Sequence, residues 1–131
     1  MEEYQVPIMR LDYQAIEYQT LYVDDENEDI LMYLQYLNKP YKATGGSYFS
    51  TYQSLRDQLL KDGYGLMCNG SYINAIQSAM MCYVDKVYLV TLGKQALQKD
   101  IVNLFDEADI HEFPDTEKQQ IFQKQWFASL K

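Results

Sequence analysis

The sequence holds one histidine, two cysteines and three prolines in 131 residues. None of its apolar runs nears the ~18 residues that a membrane span needs. With His111 alone and Cys68 and Cys82 far apart in the chain, the short Cys and His spacings of a structural zinc site are missing. Two cysteines are too few for a disulfide framework and fit reduced thiols in a cytosolic protein. The start, Met1-Glu2-Glu3-Tyr4, is acidic and lacks the apolar stretch of a secretory signal, so a cytoplasmic location is expected. Glycine is sparse as well. Gly63-Tyr64-Gly65 with Gly70 has the wrong spacing for a phosphate-cradling loop, and it runs from a helix-like stretch into a strand-like one, the reverse of a dinucleotide-binding turn. The acid run Asp24–Asp29 lacks the loop glycine and the terminal glutamate spacing of a calcium-binding EF-hand. No metal or cofactor is expected. Bases are few and scattered, 11 against 19 acids, which speaks against direct binding of nucleic acid or of an anionic membrane.

What the chain does have is apolar material, acid and tyrosine. At 47% apolar residues it can build one α+β domain, residues 1–131, with its own core. The net charge of −8 is unevenly placed. Residues 1–44 carry nine acids against three bases, 45–105 four against five, and 106–131 six against three. Two acidic ends flank a nearly neutral middle, a distribution that steers basic partners. The thirteen tyrosines suit an interface, because the ring brings contact area and a hydroxyl at low entropic cost; they equally suit the rim of an aromatic β-core.

Along the chain, Val6–Asp12 and Ala15–Val23 read as strands. In the second, Ile16, Tyr18, Thr20 and Tyr22 share one face. Pro7, unable to donate to a ladder, predicts an edge position for the first. Ile30, Tyr33, Leu34 and Leu37 have helical spacing, with Asp25 and Glu28 as a capping box and Asn38-Lys39-Pro40 as the stop. Tyr41–Phe49 reads as a loop. Ser50 and Gln53 predict the start of a central helix whose buried stripe is Tyr52, Leu55 and Leu59, with Gly63 at its end. Asn69-Gly70, between Leu66-Met67-Cys68 and Tyr72-Ile73, predicts a central hairpin over 64–77. Ile73, Ile76 and Met80 fit a helix as well, so residues 73–82 stay open between the two. Val87–Leu92 is a strand ended by Gly93, Gln95–Phe105 reads as a helix, and Asp106–Asp115 is an acidic loop. Pro114-Asp115-Thr116 opens a last helix with the stripe Phe122, Trp126 and Leu130, widened by Ile121 and Phe127. The expected architecture is an antiparallel sheet with a central hairpin, packed by three to four helices.

No catalytic signature stands out. Cys68 lies in an apolar run, where a thiol is buried and inert, and His111 sits in the acidic loop as a solvated residue. Acid-rich chains always offer carboxylate pairs, and nothing selects one. Capping a helix takes one or two acids, so the surplus in Asp24, Asp25, Glu26, Glu28 and Asp29, with Tyr22 and Tyr33 nearby, is a candidate partner-binding surface. Asp106, Glu107, Asp109 and Glu112 form a second one. A charged, solubilising surface has the same composition.

Small, acidic and rich in tyrosine, the chain resembles the immunity proteins of bacterial polymorphic-toxin and contact-dependent growth-inhibition systems. That resemblance implies a non-enzymatic protein that binds and blocks one cognate toxin, often a nuclease with a basic active site. Separately, Leu66-Met67-Cys68-Asn69-Gly70-Ser71, Ser78-Ala79-Met80 and Val87–Lys94 are similar to a family of short bacterial proteins without an assigned activity, which implies a shared core. Two other functions compete with the first. One is a small enzyme with a pocket beside the 64–77 hairpin, lined by Cys68, Asn69, Ser71 or Asn74. The other is an acidic mimic of nucleic acid with carboxylates spaced along an elongated face.

Overall fold

A computed structural model describes all residues, Met1–Lys131. The first half is a curled, antiparallel five-stranded sheet in the order β4-β3-β2-β1-β5. Its strands are β1 (Glu2–Arg10), β2 (Ala15–Asp24), β3 (Ile30–Tyr36), β4 (Lys39–Gly45) and β5 (Tyr64–Leu66). Helix α1 (Tyr48–Lys61) fills the concave side. Tyr52, Leu55 and Leu59, the predicted stripe, are fully buried there against Val6, Ile8, Leu21, Val23 and Met32. The cap is Ser47, three residues before the predicted Ser50, and its side chain accepts from the Ser50 N–H at 3.1 Å. Gly63 has φ of 91° just past the C-cap Asp62, a left-handed conformation that glycine adopts without steric cost.

The predicted helix over Ile30–Leu37 is instead the hairpin β3–β4. Burial follows period two, not 3.6: Ile30, Met32, Leu34 and Tyr36 point into the core while Leu37 is half exposed. Leu37 and Asn38 have φ of 51° and 65° and join Tyr36 to its partner Lys39. Two consecutive positive φ values are the mark of a type I′ hairpin turn. Asn38 was the turn signal, and Pro40 is tolerated because β4 is an edge strand. The stretch read as a loop from Tyr41 is therefore mostly β4. Pro7, by contrast, is not on an edge strand, since β1 lies between β2 and β5. The β5 ladder ends at Ile8↔Leu66, one position short of it. Met67 N–H still donates to the Pro7 carbonyl at 2.9 Å, while the Met67 carbonyl, for which Pro7 has no N–H, accepts from Ala108 at 2.8 Å.

That exchange removes the predicted central hairpin. Asn69–Ser71 is a single 3₁₀ turn and Asn69 has no positive φ. The turn itself pairs with a distant segment, through Asn69 N–H to the Asp106 carbonyl at 3.0 Å and Gly70 N–H to the Leu104 carbonyl at 3.1 Å. Gly70 is glycine for a reason of space: a Cβ would stand 2.8 Å from Tyr52 Cε2 and against Leu104 Cδ1. The remaining strands, β6 (Ala75–Ile76), β7 (Lys86–Leu89) and β8 (Ile101–Asn103), form a small second sheet. Within 73–82 the chain is thus a two-residue strand followed by a 3₁₀ turn, Ala79–Met81. The predicted helix Gln95–Phe105 does not form either; Leu97 is exposed while Leu104 and Phe105 enter the core, so the apparent stripe shares no face.

Helix α2 (Thr116–Ser129) is as predicted, with the Asp115 carboxylate accepting from Lys118 N–H at 2.9 Å. Trp126 is its buried anchor, whereas Ile121 and Phe127 are half exposed and do not widen the stripe. Buried Gln119 ties α2 to the rest. Its Oε1 accepts from Gln53 at 3.0 Å and Arg56 at 2.7 Å, and its Nε2 donates to the Gly70 and Tyr72 carbonyls. The fold is α+β with two α-helices, not three or four.

Candidate partner-binding surface

Because α1 lies on one side of the five-stranded sheet, its other side carries the residues that alternate outward. Register places Glu3, Tyr22, Tyr33 and Lys42 in one row across β1, β2, β3 and β4. The Tyr22 and Tyr33 rings stand 6.3 Å apart, centre to centre, within the range of an attractive aromatic pair. With Met1, Asp24, Leu31 and Lys42 they line a shallow hollow of about 370 Å³. Tyr18 and Ile16 continue the same face along β2 and are half exposed.

The acid run is the β2–β3 turn, and it caps no helix. Asp24 Oδ1 accepts from Glu26 N–H at 3.1 Å, which folds the turn back on itself. Asp25, Glu26, Glu28 and Asp29 are exposed. Asp25 has a structural task besides, accepting from the Tyr48 hydroxyl at 2.6 Å.

The second acidic segment divides. Glu107 forms a bridge with Cys68 and so extends the sheet beyond β5. Its carboxylate accepts from the Tyr18 hydroxyl at 2.7 Å, across 89 positions of sequence. Asp106 accepts from Asn103 Nδ2 at 2.9 Å. Asp109 is paired with His111 at 3.2 Å, both in open solvent. Asp109 and Glu112 line a different concavity, about 750 Å³, with Tyr72, Phe113, Pro114 and Lys118. Of the predicted residues, then, Tyr22, Tyr33, Asp24, the turn acids and Glu107 border one face, and Asp109 and Glu112 do not join them.

A recurring pair organises the tyrosines. Besides Tyr18 and Tyr48, the hydroxyls of Tyr4, Tyr36 and Tyr41 donate to Asp85, Glu17 and Asp62 at 3.2, 2.9 and 2.6 Å. Burial, then the adjacent carboxylate, pushes the Tyr36 phenol up to about 12 and raises Tyr4, Tyr41 and Tyr48 as well. For Tyr18 the hydrogen bond to Glu107 is the main cause of its upward shift. These phenols are rim residues of the core whose polar ends are satisfied by acids. The sequence leaves the tyrosines open between an interface and the rim of the core because these pairings span 19 to 89 positions.

The thiol of Cys68 is completely buried and is raised to about 12 by that burial. Asn69 Nδ2 donates to the Asn103 carbonyl at 2.9 Å, and the Ser71 hydroxyl bonds to Tyr52 at 2.5 Å. These three side chains are committed to the interior or to the backbone, and Asn74 Nδ2 likewise donates to the Val90 carbonyl at 2.9 Å. Nowhere do three or more His, Cys, Asp or Glu side chains converge as a metal ion requires, and no helix is long and apolar enough to cross a membrane. No protein-family model matches the chain, and no curated protein matches it at a significant level.

Proposed function

We propose that this protein is an immunity-type inhibitor that binds a basic bacterial toxin, such as a nuclease, through the open β2–β4 part of the outer face of its large sheet. The observation that carries the reading is the Tyr18–Glu107 hydrogen bond. It draws Glu107, from the second acidic segment, to the face that already holds Tyr22, Tyr33 and Asp24, beside the turn Asp24–Asp29. Acids at the margin and aromatics between them fit the anatomy of a protein interface, with charges steering the encounter and rings supplying contact area. The same arrangement, acids at separate corners with tyrosines between, supports a protein partner over the evenly spaced carboxylates of a nucleic-acid mimic. The role is binding rather than catalysis, a reading supported by the enclosed Cys68 thiol.

The test is protection. The chain is co-expressed with the protein encoded by the reading frame next to its own, and growth is scored; a neighbouring frame that encodes no basic toxin domain counts against the proposal. The wild-type chain restores growth, and the triple variant Glu26→Gln, Glu28→Gln, Asp29→Asn protects less at equal expression. These three side chains make no hydrogen bond within the fold, and Glu26 has only a long, exposed ion pair with the N-terminal ammonium at 3.8 Å, worth little in stability, so their neutralisation leaves the melting temperature nearly unchanged. Full toxicity in the presence of the wild-type chain contradicts the proposal.

A further inference from the structure

Residues Ala79–Val84, an unbroken apolar run of Ala, Met, Met, Cys, Tyr and Val, form a loop between β6 and β7. Met80 is 98% exposed, Tyr83 58% and Val84 45%. Soluble chains seldom gather exposed apolar side chains in this way without a use for them. The loop is well tied by its backbone. Met81 N–H donates to the Ser78 carbonyl at 3.0 Å and Val84 N–H to the Met81 carbonyl at 3.1 Å. At its base Gln77 Nε2 donates to the carbonyls of Val84 and Lys86, at 3.0 and 2.8 Å. These bonds hold the apolar side chains outward in a defined arrangement, which lowers the ordering cost of any later contact.

One residue links this loop to the acidic turn. Tyr48, at the start of α1, donates its N–H to the Cys82 carbonyl at 2.7 Å and its hydroxyl to Asp25 at 2.6 Å. The loop, through Cys82, and the β2–β3 turn, through Asp25, therefore adjoin at Tyr48. Binding energy concentrates in a few apolar or aromatic anchors enclosed by a polar rim, and methionine suits the anchor because it adapts its shape to a pocket.

We propose that the 79–84 loop is an apolar anchor that meets the same partner from the α1 side of the acidic turn, with Met80 and Tyr83 entering an apolar pocket beside the basic surface of the partner protein. The inference rests on the immunity reading, and it adds the part of the surface on which affinity, rather than encounter, depends. Charge complementarity selects this occupant. The acids of the adjoining turn favour a basic protein, and together with the net charge of −8 they oppose both anionic lipid and a second copy of the chain.

The experiment compares the full chain with its Met80→Ser, Tyr83→Ser double variant against the same toxin domain, by calorimetry and stopped-flow kinetics. The expected result is an affinity about tenfold weaker or more, arising in the dissociation rate, with the salt dependence and the melting temperature unchanged. Equal affinities overturn the anchor while leaving the immunity reading in place. Absence of any complex with the wild-type chain overturns both. Sedimentation of the free chain as a Met80-dependent dimer, or Met80-dependent binding to neutral phosphatidylcholine vesicles, with toxin affinity unaffected by the variant, also overturns the proposal and reassigns the loop.

Discussion

Residues 2–66 and residues 67–131 use similar lengths of chain but are held in different ways. In the first region β1 pairs with β2 along its whole length and β3 with β4 likewise, around a continuous core that closes on α1. In the second region β6 pairs with β7 over two residues; Cys68, Ala75, Val87, Leu104 and Phe105 reach into the main core, and a separate apolar cluster has three buried members, Ile76, Val90 and Trp126. There, position depends on individual polar contacts and close approaches: Gln119 between the helices, Asn69 and Gly70 against 103–106, Gln77 and Tyr48 under the apolar loop. The difference separates scaffold from surface. Long ladders and a shared core fix the sheet face, while short segments pinned at single points can present loops of unfavourable composition.

Substitutions should break the two regions by different means. Leu55→Ala, at the centre of the first, opens a cavity under the sheet and is expected to cost about 3 kcal/mol of unfolding free energy in a denaturant titration. Gly70→Ala adds one methyl group where Tyr52 and Leu104 leave no room; the expected cost is about 2 kcal/mol. A Gly70→Ala loss no larger than that of an exposed substitution would contradict the close approach of Gly70 to Tyr52 and Leu104. Tyr48→Phe removes the hydroxyl that holds Asp25 and is expected to cost about 1 kcal/mol. It should also speed amide hydrogen exchange in the 24–29 turn while leaving β1 and α1 protected.

The smallest expected effect is pH-dependent. Asp62 accepts hydrogen bonds from Lys39 and Tyr41, both at 2.6 Å, and these hold its carboxyl below the usual 3.8. A depressed folded-state pKa means that the unfolded chain takes up the proton first. The contribution is complete above the ordinary value and is lost as pH falls through the depressed one. Asp62→Asn should therefore flatten the stability profile below pH ~4 and leave its slope near neutrality unchanged. An unchanged acid limb would mean that the link between β4 and the end of α1 carries no stability.

Legibility in the sequence followed the range of the forces involved. Helix α2 was readable because its cap, Asp115, and its anchor, Trp126, act within the helix or close to it. The α1 stripe was readable for the same reason, although three serines and a threonine between 47 and 54 blurred its start. The β3–β4 hairpin was misread because Ile30, Leu34 and Leu37 mimic a helical stripe; the alternating set Ile30, Met32, Leu34 and Tyr36 was equally present, and Asn38 marked the turn. Asn69-Gly70 misled because its local turn preference was overridden by pairing with residues 103–106. That Ile16, Tyr18, Thr20 and Tyr22 share one face of β2 was legible from their alternation, but which acids are exposed was not. What sequence could not supply was the set of tyrosine–carboxylate pairs, which are non-local, and the exposure of Met80, whose spacing suggested a core position.

The central claim is that the acids around the sheet face steer a basic protein onto it. The most direct measurement is the association rate constant with the basic toxin domain as ionic strength rises from about 0.05 to 0.5 M, across which screening shortens severalfold in range. The account predicts a steep fall for the wild-type chain and a distinctly shallower one for the Glu26→Gln, Glu28→Gln, Asp29→Asn variant. Identical slopes for the two proteins would contradict it.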